Sequence, residues 1–304
     1  MAGPTASGKS ALAVALARRL GGTVINADAM QCYRELRIIT ARPSQEDEMS
    51  APHRLYGVKA ADEPANAAWW REAAQAEMAA ADFPILCGGT GMYFSALIRG
   101  IADIPAPAPE AREEARRLVE ALGPEAVHAR LDPETAARLK PADSQRIARA
   151  YEVLLSTGKG ISWWQNQPTE RLSGWDVRMV LLDPPREALR EAIERRFAAM
   201  LAQGALAEVA AFLALGLDPA LPLMRALGVP ELGAHLRGEM TLEAATARAV
   251  LTSQQYTKRQ ATWFRHQKLV DNPALQIIRS RIGGDTQLSE SFIADLVNFI
   301  NAPG

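Results

Sequence analysis

Gly3-Pro4-Thr5-Ala6-Ser7-Gly8-Lys9-Ser10 fills every fixed position of the pattern G-x-x-x-x-G-K-[ST]. A loop of this kind is built around a multiply charged phosphate chain. Its glycines let consecutive backbone N–H groups turn inward, the lysine reaches the terminal phosphates, and the hydroxyl of Ser10 is placed for Mg2+. The run Ala11-Leu12-Ala13-Val14-Ala15-Leu16-Ala17-Arg18-Arg19-Leu20 is a strong helix former. A helix starting at the loop adds its positive end to the anion site. The plain alternative is a turn of small residues before an Ala-rich helix.

A phosphate loop normally follows a buried parallel strand, yet only Met1 and Ala2 precede Gly3. Either the first strand is missing from this chain or the loop is supported in some other way; a central parallel strand is hard to replace, so the expectation is a missing apolar segment upstream of Met1.

With 304 residues, 48% hydrophobic and 23% charged, the chain has the composition of an ordinary globular protein, one large domain plus a smaller one. No stretch resembles a secretory signal and no apolar run is long enough to span a bilayer, so a cytoplasmic protein is expected. Cys32 and Cys87 lack metal-ligand spacing and read as buried thiols in a reducing compartment. The histidines form no H-x-x-x-H pair, which speaks against zinc. A net charge of −1 means that any polyanion must be held by a local patch.

Gly22-Thr23-Val24-Ile25-Asn26-Ala27-Asp28 reads as a short buried strand ending in a carboxylate. A helical stretch near residues 65–81 leads to a second strand, Phe83-Pro84-Ile85-Leu86-Cys87, which runs into Gly88-Gly89-Thr90-Gly91. Short apolar strands alternating with helices predict an α/β fold, a phosphate-loop-type parallel sheet flanked by helices. Ligands of such sheets sit beyond the carboxyl ends of the strands, so the loop, Asp28 and Thr90 are expected on one edge. The proline-rich segment Ile104–Pro109 marks a boundary. The charged, helical stretch beyond it is read as a helical insertion over residues 105–172, within a core of residues 1–104 and 173–304. Val177–Leu182 restores a strand closed by Asp183-Pro184-Pro185, and Leu288, Phe292, Leu296 and Ile300 recur at helical spacing as a core-facing stripe.

A carboxylate facing a phosphate chain can ligate Mg2+ or accept a proton from a nucleophile, and equally can cap a helix; Asp28 admits all three. Thr90 sits in a turn where glycines permit close backbone approach and a hydroxyl can donate or accept, though it can also simply cap the next helix. Phe83–Cys87 does not end in the carboxylate that phosphate-loop ATPases use to hold Mg2+, and the chain has no N-K-x-D stretch. The phosphate chain therefore reads as a leaving group rather than a hydrolysed nucleotide. Gln254 to His266 interleaves bases with aromatics and amides, a surface able to hold phosphate and stack unpaired bases, or an amphipathic helix with solvated bases. In Asp143-Ser144-Gln145-Arg146-Ile147-Ala148-Arg149, the two arginines lie three apart and can clamp phosphate or form surface ion pairs. Trp163-Trp164 beside Lys159 offers stacking or core packing.

Gly3–Ser10, Asn26-Ala27-Asp28-Ala29-Met30-Gln31, Thr40-Ala41-Arg42-Pro43-Ser44, Pro52-His53-Arg54-Leu55, Gly88-Gly89-Thr90-Gly91-Met92-Tyr93, Asp143–Arg149 and Lys258–Arg265 occur in an order that resembles the tRNA dimethylallyltransferase (tRNA isopentenyltransferase) family. The resemblance spans nearly the whole chain. It implies transfer of a dimethylallyl group from dimethylallyl diphosphate to N6 of the adenosine just 3′ of the anticodon, with the tRNA anticodon stem-loop as partner. By the same resemblance, Gly3, Pro4, Thr5, Ala6, Ser7, Gly8, Lys9 and Ser10 bind the diphosphate, Ser10 holds Mg2+, Asp28 is the general base, and Thr90 positions the adenosine or diphosphate. The implied tRNA contacts are Asp28, Ala29, Met30, Gln31, Thr90, Arg112, Gln145, Arg146, Ile147, Ala148, Arg149, Lys258 and Arg259. A monomer is expected. Ala29 stands where a serine is common in the family, and Arg225–Glu231 is an atypical version of an Ile-Gly-Tyr-containing segment. Two other readings share these features: a small-molecule or nucleotide kinase that binds ATP in the loop, and a non-catalytic RNA-binding module that keeps the loop for structure.

Overall fold

The computed structural model describes residues 1–283 and 288–302. The chain divides into two compact units, Met1–Ile98 with Ser173–Gly304, and Arg99–Leu172. In the larger unit, α1 (Lys9–Leu20) leads to β1 (Thr23–Asn26), α2 (Gln45–Ser50), β2 (His53–Arg54), α3 (Ala67–Ala80), β3 (Pro84–Cys87) and α4 (Gly91–Arg99). Strand β1 lies between β2 and β3 and is parallel to both, with Val24 opposite His53 and Ile85.

The smaller unit is helical: α5 (Pro109–Leu122), α6 (Pro124–His128), α7 (Pro133–Arg138), α8 (Ser144–Thr157) and α9 (Ile161–Gln165). Proline at the first turn of α5, α6 and α7 costs no helical hydrogen bond. Asp132 and Asp143 cap α7 and α8 by accepting the backbone N–H groups of Thr135 and Arg146. Its interior is formed by Ala115, Val127, Ile147, Ala150 and Val153.

The chain then returns to the larger unit through β4 (Met179–Leu182), α10 (Arg186–Ala202), α11 (Ala205–Leu213), α12 (Val229–Leu236), α13 (Leu242–His266), β5 (Leu275–Ile278) and α14 (Glu290–Asn301). Strands β4 and β5 pair in parallel, Met179 opposite Leu275.

The expected gap in the sheet is filled by Ala2. It bridges in parallel to Gly88 on one side and Leu181 on the other. Ala2 N–H donates to the Val180 carbonyl at 2.9 Å, and Leu182 N–H donates to the Ala2 carbonyl at 2.9 Å. The Met1 ammonium donates to the Leu86 carbonyl at 2.8 Å. Ala2 thus joins β2-β1-β3 to β4-β5 in one parallel sheet and delivers Gly3 to the strand ends. Strand β2 is only two residues long, too short for a strand signal, and β5, a short apolar run in the tail, adds to the strands expected from the sequence.

Two apolar clusters form the core of this unit, the first built on the sheet. One combines Leu12 and Leu16 of α1 with Val24, Ile85, Leu182 and Ile278 of the strands; Leu296 is buried in it, with Leu288, Phe292 and Ile300 packed against its edge. The other joins Phe197, Val209, Phe212 and Leu232 of α10–α12 to Tyr33, Leu36 and Ile39. Among the described residues, no single helix is long and apolar enough to cross a membrane.

Candidate active site

The phosphate loop holds a conformation that only its sequence tolerates. Gly8 sits at φ 93°, capping α1, and a Cβ there would collide with the Ile282 carbonyl oxygen. Ala6 is held in the left-handed region at φ 65°, a cost accepted where a loop must present its amides to a ligand. The segment after β5 clamps the loop from outside: Arg281 Nε donates to the Ala6 carbonyl at 2.9 Å and Ile282 N–H to the Ser7 carbonyl at 3.0 Å. Leu12 N–H makes the first intrahelical bond, to Gly8, so the amides of Lys9, Ser10 and Ala11 remain for an anion. Ser7 is fully buried, and its hydroxyl has no partner among the described residues.

Lys9 Nζ donates to the Pro4 carbonyl at 3.4 Å. Burial lowers its pKa, and Asp28 opposes that shift. Cys87, the last residue of β3, is a buried free thiol. Burial pushes the Cys87 thiol above its usual pKa. A neutral thiol therefore stands at the strand end after which phosphate-loop ATPases carry a metal-holding carboxylate.

Asp28 follows β1 and is fixed by its neighbours. Asn26 is fully buried. Its Oδ1 accepts Asp28 N–H at 2.8 Å, while its Nδ2 donates to the Asp28 and Leu55 carbonyls at 2.9 and 3.0 Å. Asp28 Oδ1 accepts Met30 N–H at 3.1 Å. Trp70 Nε1 donates to the Asn26 carbonyl, and the Trp70 ring stacks on Tyr93 at 4.5 Å. Thr90 Oγ1 accepts Ala29 N–H at 3.0 Å. Gln31 is turned to its own loop, Nε2 donating to the Thr40 and Ala41 carbonyls at 2.9 Å each. The structure thus brings the phosphate loop, Asp28 and Thr90 to one sheet edge.

Three residues belong beside these that the sequence did not single out as site residues, and a fourth, Glu208, holds the loop that follows. Arg196 of α10 has its pKa lowered by burial, with the Asp28 charge opposing that shift as it does at Lys9. Tyr256 of α13 feels Asp28 too: burial first, then that charge, pushes its phenol to about 12. Gln260 is buried and links the phosphate loop to the turn after β3. Glu208 of α11 accepts the backbone N–H groups of Arg37, Ile38 and Ile39 at 2.7–3.0 Å. Arg196 lies in a helix whose mixed charge reads as a solvated surface, and Glu208 is the single charge of an apolar helix, with nothing local to show what it faces. Tyr256 and Gln260 stand inside the aromatic and basic run, where only their inward register distinguishes them.

Lys258 and Arg259 are exposed, the Arg259 guanidinium lying 5.6 Å from the Tyr256 ring centre. In the helical unit, Gln145 and Arg146 are exposed on α8, and Ala148 is partly so. Arg149 and Arg112 both pair with Glu152, at 2.5 and 3.8 Å, and Arg146 pairs with Asp143 at 3.5 Å. Ile147 corrects its sequence reading. Its side chain is fully buried, because the spacing it shares with Ala150 and Val153 makes the inner face of α8. That side chain is spent on the interior of the helical unit. Trp163 and Trp164 meet edge to face, and Lys159 Nζ stands 3.4 Å from the Trp163 ring centre.

A parallel sheet with this loop, a strand-end carboxylate and flanking helices defines an α/β protein of the phosphate-loop type. The IPP transferase family model matches residues 31–267. The chain is 61% identical over 304 residues to the tRNA dimethylallyltransferase of Acidiphilium cryptum (strain JF-5), covering 99% of this chain and 94% of that protein. It is 59% identical to the enzyme of that name from Granulibacter bethesdensis (strain ATCC BAA-1260 / CGDNIH1), over 99% and 97%. The crystal structure of the full-length tRNA isopentenylpyrophosphate transferase from Bacillus halodurans superposes with a TM-score of 0.68 at 30% identity, covering 98% and 93%. A eukaryotic dimethylallyltransferase acting on tRNA shares the fold, with a TM-score of 0.79 at 24% identity over 100% and 79%. The chain belongs to the IPP transferase family.

Proposed function

We propose that the chain transfers a dimethylallyl group from dimethylallyl diphosphate to N6 of the adenosine 3′-adjacent to the anticodon, within the anticodon stem-loop of tRNA. The observation that carries this reading is the convergence of Asp28 and the phosphate loop on one sheet edge: Ala29, next to Asp28, bonds Thr90, and Gln260 ties the turn before Thr90 to Thr5 of the loop. That arrangement puts a proton acceptor against a cradle for a departing anion.

The lone pair of an exocyclic adenine amine is delocalised into the ring, so N6 attacks only if its proton is removed as the C–N bond forms. Asp28 takes that proton. The allylic C–O bond breaks, and the diphosphate leaves with the electron pair. The amides that open α1, with Lys9 and Arg196, stabilise the charge it acquires. Thr90 holds the backbone beside Asp28. The adenosine must leave its stack, at a cost of about a few kcal/mol. Contacts from Lys258, Arg259 and the exposed residues of α8 offset that cost.

Mg2+ fits the loop as an ion carried by the substrate. Among the described residues no three His, Cys, Asp or Glu side chains converge on a metal site, and the donor at hand is the Ser10 hydroxyl. Mg2+ accepts such a sparse protein contribution when diphosphate oxygens and water complete its shell. When bound, it neutralises charge on the leaving diphosphate.

Incubation with labelled dimethylallyl diphosphate and tRNA, and separately with labelled ATP, tests the reading. Label is expected in tRNA from the first donor only. Phosphoryl transfer from ATP without prenyl transfer would make the protein a kinase, and binding of tRNA without either reaction would make it a binding module.

A further inference from the structure

We infer that Gln260 is a positioning residue for this transfer, a two-headed amide that fixes the spacing between the diphosphate cradle and the turn carrying Thr90. The inference rests on the proposed function and concerns a buried residue whose amide is engaged at both ends by backbone groups.

Gln260 lies on α13 with 5% of its surface exposed. Its Oε1 accepts Thr5 N–H at 2.9 Å, and its Nε2 donates to the Gly89 carbonyl at 2.9 Å. Both partners are backbone groups, so the contact constrains the course of two loops rather than two movable side chains. A Cβ on Gly89 would collide with Nε2; the turn carries glycine there because the amide occupies that space. The next turn of α13 adds a second point of support, as the Trp263 ring packs against Gly91.

From Gly89 the constraint runs on to the base. Thr90 follows directly and accepts Ala29 N–H, and Ala29 is the neighbour of Asp28. One side chain thus ties the loop that holds the leaving group to the loop that holds the proton acceptor. Transfer needs both at the correct distance from one allylic carbon, and a misplacement of about 1 Å can cost on the order of a hundredfold in rate. The polarity is specific: the Thr5 side requires an acceptor and the Gly89 side a donor. Glutamine supplies both in one planar group, a protonated carboxyl does so too, and a carboxylate cannot.

The test uses Gln260→Leu and Gln260→Glu in the full chain with dimethylallyl diphosphate and tRNA. Gln260→Leu should lower kcat by roughly ten- to a hundredfold, leaving KM for the diphosphate and the Kd for tRNA within about threefold. Gln260→Glu should show a similar loss at alkaline pH. Its activity relative to wild type should then rise at least about fivefold as pH falls and the introduced carboxyl gains the proton that restores a donor toward Gly89. Taking the ratio at each pH cancels any response of Asp28, Lys9, Arg196, Tyr256 and Arg259. Wild-type transfer with Gln260→Leu within threefold of it overturns the inference and leaves the proposed function standing. A Gln260→Glu deficit that does not change with pH, or a parallel loss of both substrates' binding and of cooperative unfolding, also overturns it by reducing Gln260 to a stability role. Absence of transfer by the wild-type chain overturns both.

Discussion

The Thr90 hydroxyl oxygen accepts the backbone N–H of Ala29 at 3.0 Å. The glycine-rich turn after β3 therefore fixes the chain beside Asp28, which has no secondary structure of its own to hold it. Thr90→Val keeps the shape and removes the acceptor. A hydrogen bond of this kind contributes about 0.5–1.5 kcal/mol, so kcat/KM for transfer should fall by up to about tenfold. Thr90→Ser, which keeps the hydroxyl, should stay within about threefold of wild type. Equal losses in the two variants would assign the effect to packing.

Asp28→Asn isolates the proton transfer. The substituted side chain still offers an oxygen to Met30 N–H, the contact that orients the aspartate, so the loop should keep its course. What disappears is the ability to take the N6 proton. Loss of a general base costs about 10²–10⁴ in rate, and single-turnover transfer should drop by that order. Binding of tRNA, measured by filter retention, should stay within about threefold. If binding vanished with activity, the side chain would be a recognition element instead.

Glu208 gives a prediction about the loop that follows the site. Its two oxygens satisfy the backbone N–H groups of Arg37, Ile38 and Ile39, and Gln31 holds the carbonyls of Thr40 and Ala41 just beyond. Glu208→Ala leaves three donors without their acceptor. The expected loss of stability is about 1–3 kcal/mol, read from urea unfolding. Amide hydrogen exchange should accelerate at residues 37–39 before it does so in β1. A uniform increase across the unit would mean that Glu208 supports the whole packing of α11 instead.

The parts of this site legible in the sequence are those whose geometry is local. The spacing from Gly3 to Ser10 dictates a loop and a helix start, and an apolar run ending in Asp28 places a carboxylate at a strand end. Ala2 was illegible for the opposite reason: two residues carry no periodicity, and Ala2 is a strand only because Gly88 and Leu181 flank it. Arg196 and Gln260 depend on how α10 and α13 dock, and a helix face near the site looks in sequence like any other face. Ile147 shows where a motif outweighed a pattern. Ile147, Ala150 and Val153 recur at helical spacing and mark a buried stripe, a signal that the arginines on either side obscured.

Cys32 supplies a prediction about alkaline stability. Its sulfur accepts from Asn26 Nδ2 at 3.3 Å beneath the Asp28 loop, and burial first, then the Asp28 charge, push its pKa from 9.0 up to about 12. Between those values the folded chain keeps a proton that the unfolded chain has released. The thiol's contribution is therefore fully present below the lower value and is lost as pH climbs from it toward the upper one. The slope from one such group is at most about 1.4 kcal/mol per pH unit. Cys32→Ser removes the titrating proton and keeps an acceptor for Asn26, so its stability should decline less steeply between about pH 9 and 10. Above that range the buried Tyr93 and the half-buried Tyr56 and Tyr256, all shifted upward, should impose a common decline on both proteins. Urea midpoints measured across the interval separate the two contributions; parallel curves would mean that Cys32 ionises in the folded chain as readily as in the unfolded one.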